Sequence, residues 1–182
     1  MKTKLFREES GQALIELAVT ATTLCVLIFG IIDFGRAIYD VQVMKNIAGE
    51  GSGIASTGTP TTTAVQSVVT YAGSDLDMAN KGCAIITVVT NQGGSPPTLA
   101  ITDQAYDCGI TASSRIGCLN GVNGCRSSAA SLPQSAQDAL TGQVVGSSLY
   151  VTEIYYNYSA ITPVNAFLHN ALPSQFYTVA YY

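Results

Sequence analysis

The sequence predicts an α+β fold: a long N-terminal helix, half of it membrane-spanning, packed on a small antiparallel β-sheet with disulfide-tied loops. Three observations carry this. Ala13–Ile32 is a run of twenty residues interrupted by one charge, Glu16. Apolar residues then recur at helical spacing as far as about Ile54. The C-terminal third carries β-branched and tyrosine-rich segments that alternate with period two.

Residues 1–10, MKTKLFREES, form a polar leader. The apolar run that follows, as a helix rising 1.5 Å per residue, spans roughly 30 Å, the thickness of a bilayer's hydrocarbon core. A secretory signal has a shorter apolar region of about 7–15 residues and a small-residue cleavage site. This run is longer, and no such site stands out beyond Ile32. Lys2, Lys4 and Arg7 precede the span, while Arg36 and Lys45 on the far side weaken the bias without reversing it. The positive-inside rule therefore places the N-terminus in the cytoplasm.

The helical pattern continues beyond the membrane. Phe34, Ala37, Ile38, Val41, Met44, Ile47 and Ala48 follow in steps of three and four, one stripe for the sheet to cover. Asp33–Arg36 and Arg36–Asp40 have the spacing to pair along one side. Gly49, Gly51 and Gly53 weaken the helix, and Ser56–Thr63 is turn chemistry.

Downstream, the sequence predicts a short helix at Thr63–Ala72 and a strand at Ala84–Thr90. A turn at Asn91–Pro97 and a return strand at Thr98–Thr102 complete a hairpin. Residues 103–131 read as a Gly-, Ser- and Cys-rich loop, and Pro133–Leu140 as a helical turn or two. Tyr150–Tyr158 reads as a half-buried strand. Tyr150, Thr152, Ile154, Tyr156 and Tyr158 share one face, and Val151, Glu153, Tyr155 and Asn157 share an outward one. Phe176–Tyr182 is the last strand, and its tyrosines supply cross-strand pairs.

Cysteines are distributed unevenly. Cys25 lies in the apolar run, whereas Cys83, Cys108, Cys118 and Cys125 all follow it. An even set beyond the span implies two disulfides in an oxidising compartment. Three connectivities are open; the preferred one closes Cys118–Cys125 as a small loop and Cys83–Cys108 as a larger one. The intervals do not fit a zinc site.

Charged residues make up 11% of the chain, against about 25% in a typical soluble domain. The net charge of −4 argues against a nucleic-acid partner. Neither enzyme nor cofactor chemistry is indicated. His169 is the only histidine, and no G-x-S-x-G or phosphate-cradling loop appears. Asp75 and Asp77 are without the remaining ligands of a calcium loop.

Gly11–Glu16 stands apart. A basic leader ends in Gly11, an apolar helix follows directly, and Glu16 is the fifth residue after that glycine. A cut after Gly11 makes Gln12 a new N-terminus whose amine can neutralise a carboxylate in its own or a neighbouring subunit. An unpaired charge at mid-membrane costs about 2.5–3.5 kcal/mol on insertion scales, so such pairing would set axial register during assembly. The plain alternative is a glutamate snorkelling at the interface of a signal anchor.

At these residues the sequence resembles type IV pilin-like proteins, and more narrowly the TadE-like pseudopilins of the tight-adherence (Tad, or Flp pilus) system. The resemblance rests on Gly11 before GQALIELA, on IIDFGRAIYD, and on NIAGEGSGIAS. The last is similar to the family's Ala-Arg-Glu-Gly-Ala-Arg pattern, with Glu50 and Gly51 kept and the arginines absent. VTEIYYNYSAITP looks like the family's late strand before a proline. The good match covers roughly residues 8–56, with a weaker echo at 149–164.

The resemblance implies a non-enzymatic minor pilin or pseudopilin acting in assembly of an adhesive pilus. A prepilin peptidase would cut after Gly11, and Glu16 would be the assembly glutamate. Residues 1–11 would be the cytoplasmic leader, 12–56 the helix with a span at about 13–32, and 57–182 a periplasmic α+β domain. Its partners would be the peptidase, other pilins and pseudopilins, and the inner-membrane assembly platform. Gln12 as first residue is a departure, since it can cyclise to pyroglutamate and lose its amine. Two other readings stand beside this one: a signal-anchored periplasmic binding module using the tyrosine-rich sheet face, and a minor pseudopilin of a related secretion system.

Overall fold

A computed structural model of the chain describes residues 5–72, 74–119, 132–163 and 172–182, with side chains omitted at residues 5–10 and 72. Helix α1 runs without interruption from Leu5 to Ser56. Its residues divide between two compact units: residues 1–38 with 159–173, and residues 39–158 with 174–182.

In the first unit the apolar segment is exposed all round, with Leu14, Ile15, Leu17, Val19, Leu24, Leu27 and Ile31 among the uncovered side chains. A helix apolar on every side is stable in lipid rather than water. Thr20, Thr22 and Thr23 return their hydroxyls to the carbonyls of Glu16, Ala18 and Val19 at 2.7–2.9 Å. They thereby present methyl groups outward and leave no polar donor unsatisfied. Past the apolar run, Asp33 and Ala37 turn inward, whereas Phe34 and Ile38 point out. The expected stripe is thus rotated: two of its apolar positions are exposed, and Asp33 takes a place in it.

The second unit is built on a four-stranded antiparallel sheet of order β2-β1-β3-β4. Its strands are β1 (Gly82–Gly93), β2 (Thr98–Cys108), β3 (Ser148–Asn157) and β4 (Gln175–Tyr181). The remaining part of α1 buries Met44, Ile47, Ala48, Ser52 and Ala55. Gly51 sets how closely this helix approaches the sheet. A Cβ at that position would stand 2.9 Å from Val68 Cγ2 and 3.0 Å from Thr152 Cγ2.

Helix α2 (Thr61–Ser67) begins two residues earlier than expected and passes into a π-helical turn, Val68–Ala72. It lies on the same side of the sheet: the Thr61 hydroxyl donates to Asp103 Oδ2 at 2.8 Å, and Ala64, Val65, Val68 and Val69 are buried. A 3₁₀ turn, Ser74–Leu76, and the one-turn helix α3 (Met78–Lys81) lead into β1.

The opposite face of the sheet is also covered. Ile116, Leu132 and Leu140 pack with Val89, Ile101 and Val151. They come from the segment after β2 and from helix α4 (Gln134–Thr141) with the residues before it. Gln104 pins that segment with both ends of its amide: Nε2 donates to Thr87 Oγ1 (2.8 Å) and to the Gly117 carbonyl (3.0 Å), and Oε1 accepts from Leu119 N (3.1 Å). Asn91 holds the end of α4, donating to the Leu140 and Gln143 carbonyls at 3.2 Å.

Two expectations are therefore corrected. The chain from residue 103 onward is not loop at once, because β2 continues to Cys108. The Val151–Glu153–Tyr155 face of β3 is not outward. All three residues are buried, and Glu153 is 0% exposed.

Candidate assembly segment

Gly11, Gln12 and Glu16 lie on the uncovered part of α1, and all three are exposed. Helical spacing of four sets Gln12 and Glu16 on one side, where Gln12 Nε2 stands 3.4 Å from Glu16 Oε1. The backbone of Gln12 is thus one turn from the carboxylate. An amine created there by cleavage would be within a side chain's reach of Glu16. No side chain lies within 4 Å of where a Gly11 Cβ would be, so approach to the Gly11–Gln12 bond is open among the described residues.

The cysteines beyond the span are placed as far as the structure describes them. Cys83 and Cys108 are directly opposed at one end of the β1–β2 ladder and form a disulfide. Cys118 is also disulfide-bonded. Cys125, its expected partner, lies outside the described residues, as does His169. Cys25 is free and exposed on the apolar part of α1. Asp75 and Asp77 sit in the short turns before β1, where Asp77 accepts from Asn80 Nδ2 at 2.7 Å.

Asp33 and Glu153 are two of the three carboxylates buried among the described residues, Asp40 being the third, and their burial was not anticipated from the sequence. Asp33, 3% exposed, accepts hydrogen bonds from the backbone N–H of Ile161 (3.2 Å) and Thr162 (3.3 Å), and from the Thr162 hydroxyl. The Arg36 charge also acts on it. Glu153 accepts from Arg115 N (2.8 Å), from the Ser114 hydroxyl and from the Tyr177 hydroxyl (3.1 Å). Tyr155 donates to the Ser113 carbonyl at 2.7 Å with its oxygen 3.3 Å from Glu153 Oε1, and the Arg115 guanidinium lies 4.0 Å over the Tyr177 ring. Burial, followed by the adjacent Glu153 charge, pushes both phenols well above the ordinary tyrosine range.

The tyrosines expected to form a sheet face are largely interior. Tyr155, Tyr156 and Tyr158 are buried, and Tyr155–Tyr177 and Tyr158–Phe176 stack at ring distances of 4.9 and 5.0 Å. A face spent on packing offers little to a ligand. The sequence signal for Glu153 was present in its position between Val151 and Tyr155, on a strand apolar on both sides. Such continuous burial marks a strand covered on both faces.

An uncovered apolar helix of bilayer length, continuing into a disulfide-bonded α+β unit, has the build of a single-span membrane-anchored protein. Within that class the chain carries a TadE-like segment. Residues 11–52 match the family model described as TadE-like protein. No curated protein and no solved structure matches the chain. The matched residues run from the glycine before the apolar run to the close-packed Gly51–Ser52 pair. Both the lipid-compatible part of α1 and its sheet-packed part are included.

Proposed function

We propose that this chain is a minor pilin-like subunit that acts in assembly of a Tad-type adhesive pilus, after a prepilin peptidase removes residues 1–11. The observation that carries the reading is Glu16. It is the one carboxylate in an apolar helix segment that no described residue covers, at fifth place after Gly11 within the family-matched residues. A carboxylate there is costly in lipid alone and favourable beside an amine. Packing of this helix against those of other pilins supplies the amine and excludes lipid in the same step. In this reading residues 12–56 form the assembly helix, with the span at about 13–32. Residues 57–182 lie in the periplasm, where an oxidising environment maintains the disulfides. The partners are the peptidase, other pilins or pseudopilins, and the inner-membrane platform.

The test is the mass of the mature protein recovered from cell membranes. An N-terminus at Gln12, or its pyroglutamate form, is the expected result, and any other first residue overturns the processing step. The pyroglutamate form would exclude the chain's own amine as the partner of Glu16.

A further inference from the structure

Asp33 closes the apolar run in an unusual way. It is a carboxylate with very little exposure in a helix whose neighbouring surface is bare. Its charge is met by two backbone amides and a hydroxyl from the 161–162 segment rather than by a cation alone. Those bonds hold the backbone of Ile161 at the level of Asp33 along α1, within one compact unit. The Ile161 side chain is nevertheless 66% exposed. At the same level the helix keeps an uncovered apolar stripe, Ile28, Ile31, Phe34 and Ile38, continuous with the apolar run and reaching past Asp33.

The axial distances identify what covers these side chains. From Gln12 to Asp33 the helix rises about 31 Å, and to Ile38 about 39 Å, at 1.5 Å per residue. The hydrocarbon core is about 30 Å thick, and the bilayer with its headgroups about 40–45 Å. Asp33 therefore falls where the hydrocarbon ends, and Phe34, Ile38 and Ile161 fall in the headgroup–acyl boundary. A bare carboxylate at that depth would be costly; one saturated by amide and hydroxyl donors is tolerated. Arg36, whose charge acts on Asp33, has the length to place its guanidinium among lipid phosphates.

We infer that Ile161, clasped to α1 by Asp33, is an interfacial membrane anchor. Together with Phe34 and Ile38 it seats in the boundary layer of a phospholipid bilayer, in the leaflet away from Gln12. The occupant is lipid because the stripe is the uninterrupted extension of the lipid-compatible surface and carries no charge of its own. The inference rests on the membrane-span reading of α1, and its test separates the two.

The full chain is reconstituted in phosphatidylethanolamine–phosphatidylglycerol vesicles containing lipids spin-labelled either near the headgroup or deep in the acyl chain. An environment-sensitive fluorophore is placed on native Cys25, or on Ile161→Cys in a Cys25→Ser background. Cys25 is expected to be quenched by the deep label, and residue 161 by the shallow label with little quenching by aqueous iodide. Quenching at Cys25 but only iodide quenching at 161, or shielding at 161 from both, overturns the anchor and leaves the span standing. Absence of lipid quenching at Cys25 overturns the span itself.

The clasp has its own arm. Hydrogen bonds to a charged group are strong enough that Asp33→Ala shifts the ratio of held to released loop by roughly tenfold or more. Lipid quenching at residue 161 then falls and iodide quenching rises, while quenching at Cys25 is unchanged. Thr162→Val, which removes only the hydroxyl, gives a smaller change in the same direction. Unaltered quenching at 161 in both variants overturns the role of Asp33.

Discussion

Glu153 shows at the residue scale how a carboxyl group is accommodated in a sheet interior by hydrogen-bond donors. Its carboxylate is saturated by the Ser114 hydroxyl, the Arg115 amide and the Tyr177 hydroxyl, with Arg115 stacked on Tyr177 behind them. The cluster ties the segment after β2 and the strand β4 to the centre of β3. Removing the hub of a buried polar cluster leaves its donors dry, at a cost of about 1–3 kcal/mol for each donor left unsatisfied. Glu153→Ala should lower the unfolding free energy of the second unit by about 3 kcal/mol or more in urea titrations, and Tyr177→Phe by only about 1–1.5 kcal/mol, the worth of one hydrogen bond. The raised phenol pKa values also fix a pH dependence. A tyrosine whose folded pKa lies above its unfolded value of 10.0 contributes stability that is complete below pH 10 and is lost as pH rises toward the folded value. Alkaline titration followed by ultraviolet absorbance should show phenols that ionise only as the fold opens. Tyr177→Phe should make the stability profile flatter above pH 10.

The β1–β2 hairpin and the sheet-packed part of α1 carry the testable consequences at the scale of elements. Cys83 and Cys108 are 25 residues apart in sequence and join opposed positions of the ladder. Chain-entropy arguments give such a crosslink roughly 3 kcal/mol. Cys83→Ala with Cys108→Ala should therefore lower stability by about that amount, read from denaturant titrations with midpoint and slope both fitted, the slope rising as the unfolded chain expands. Gly51 lets α1 come close to β3 and the π-helical turn, with Val68 and Thr152 against it. Both neighbours are β-branched and stiff at χ1, so they cannot swing aside. Gly51→Leu should overpack this contact and cost about 1–3 kcal/mol. Gly51→Ala should be closer to neutral, because the gain in helix propensity of roughly 0.5–1 kcal/mol offsets part of the strain.

For the whole molecule, α1 is divided between two compact units, its apolar surface bare in the first and packed on the sheet in the second. Between Gly11 and Ile32 no described side chain of the helix is buried, and inward-facing residues begin only at Asp33 and Ala37, so an apolar surface of this kind draws stability from lipid or from other helices. Full-length protein should resist extraction of membranes with alkaline carbonate and be released only by detergent. Glu16→Ala should leave both cleavage and membrane retention intact while abolishing pilus assembly. Normal piliation in that variant would remove the register role from Glu16.

Much of this was legible in the sequence because it depends on local pattern. The length of the apolar run, its single charge, and the glycine five residues before it needed no partner to be seen, and neither did the β-branched runs at 84–90 and 150–158. The even cysteine count beyond the span pointed to disulfides, but three connectivities stayed open until the fold set Cys83 opposite Cys108. What the tertiary structure decided are matters of coverage and angle. Helical spacing predicted a buried stripe but not its rotation, which places Asp33 inward and leaves Phe34 and Ile38 bare. That outcome depends on the backbone amides of residues 161 and 162, which no pattern near Asp33 announces. Period two likewise separated the faces of β3, yet whether the Glu153 face meets water depends on a chain segment forty residues away folding across it. Local periodicity is written in the order of residues. Which polar groups become buried is settled only when distant parts of the chain supply their hydrogen-bond partners.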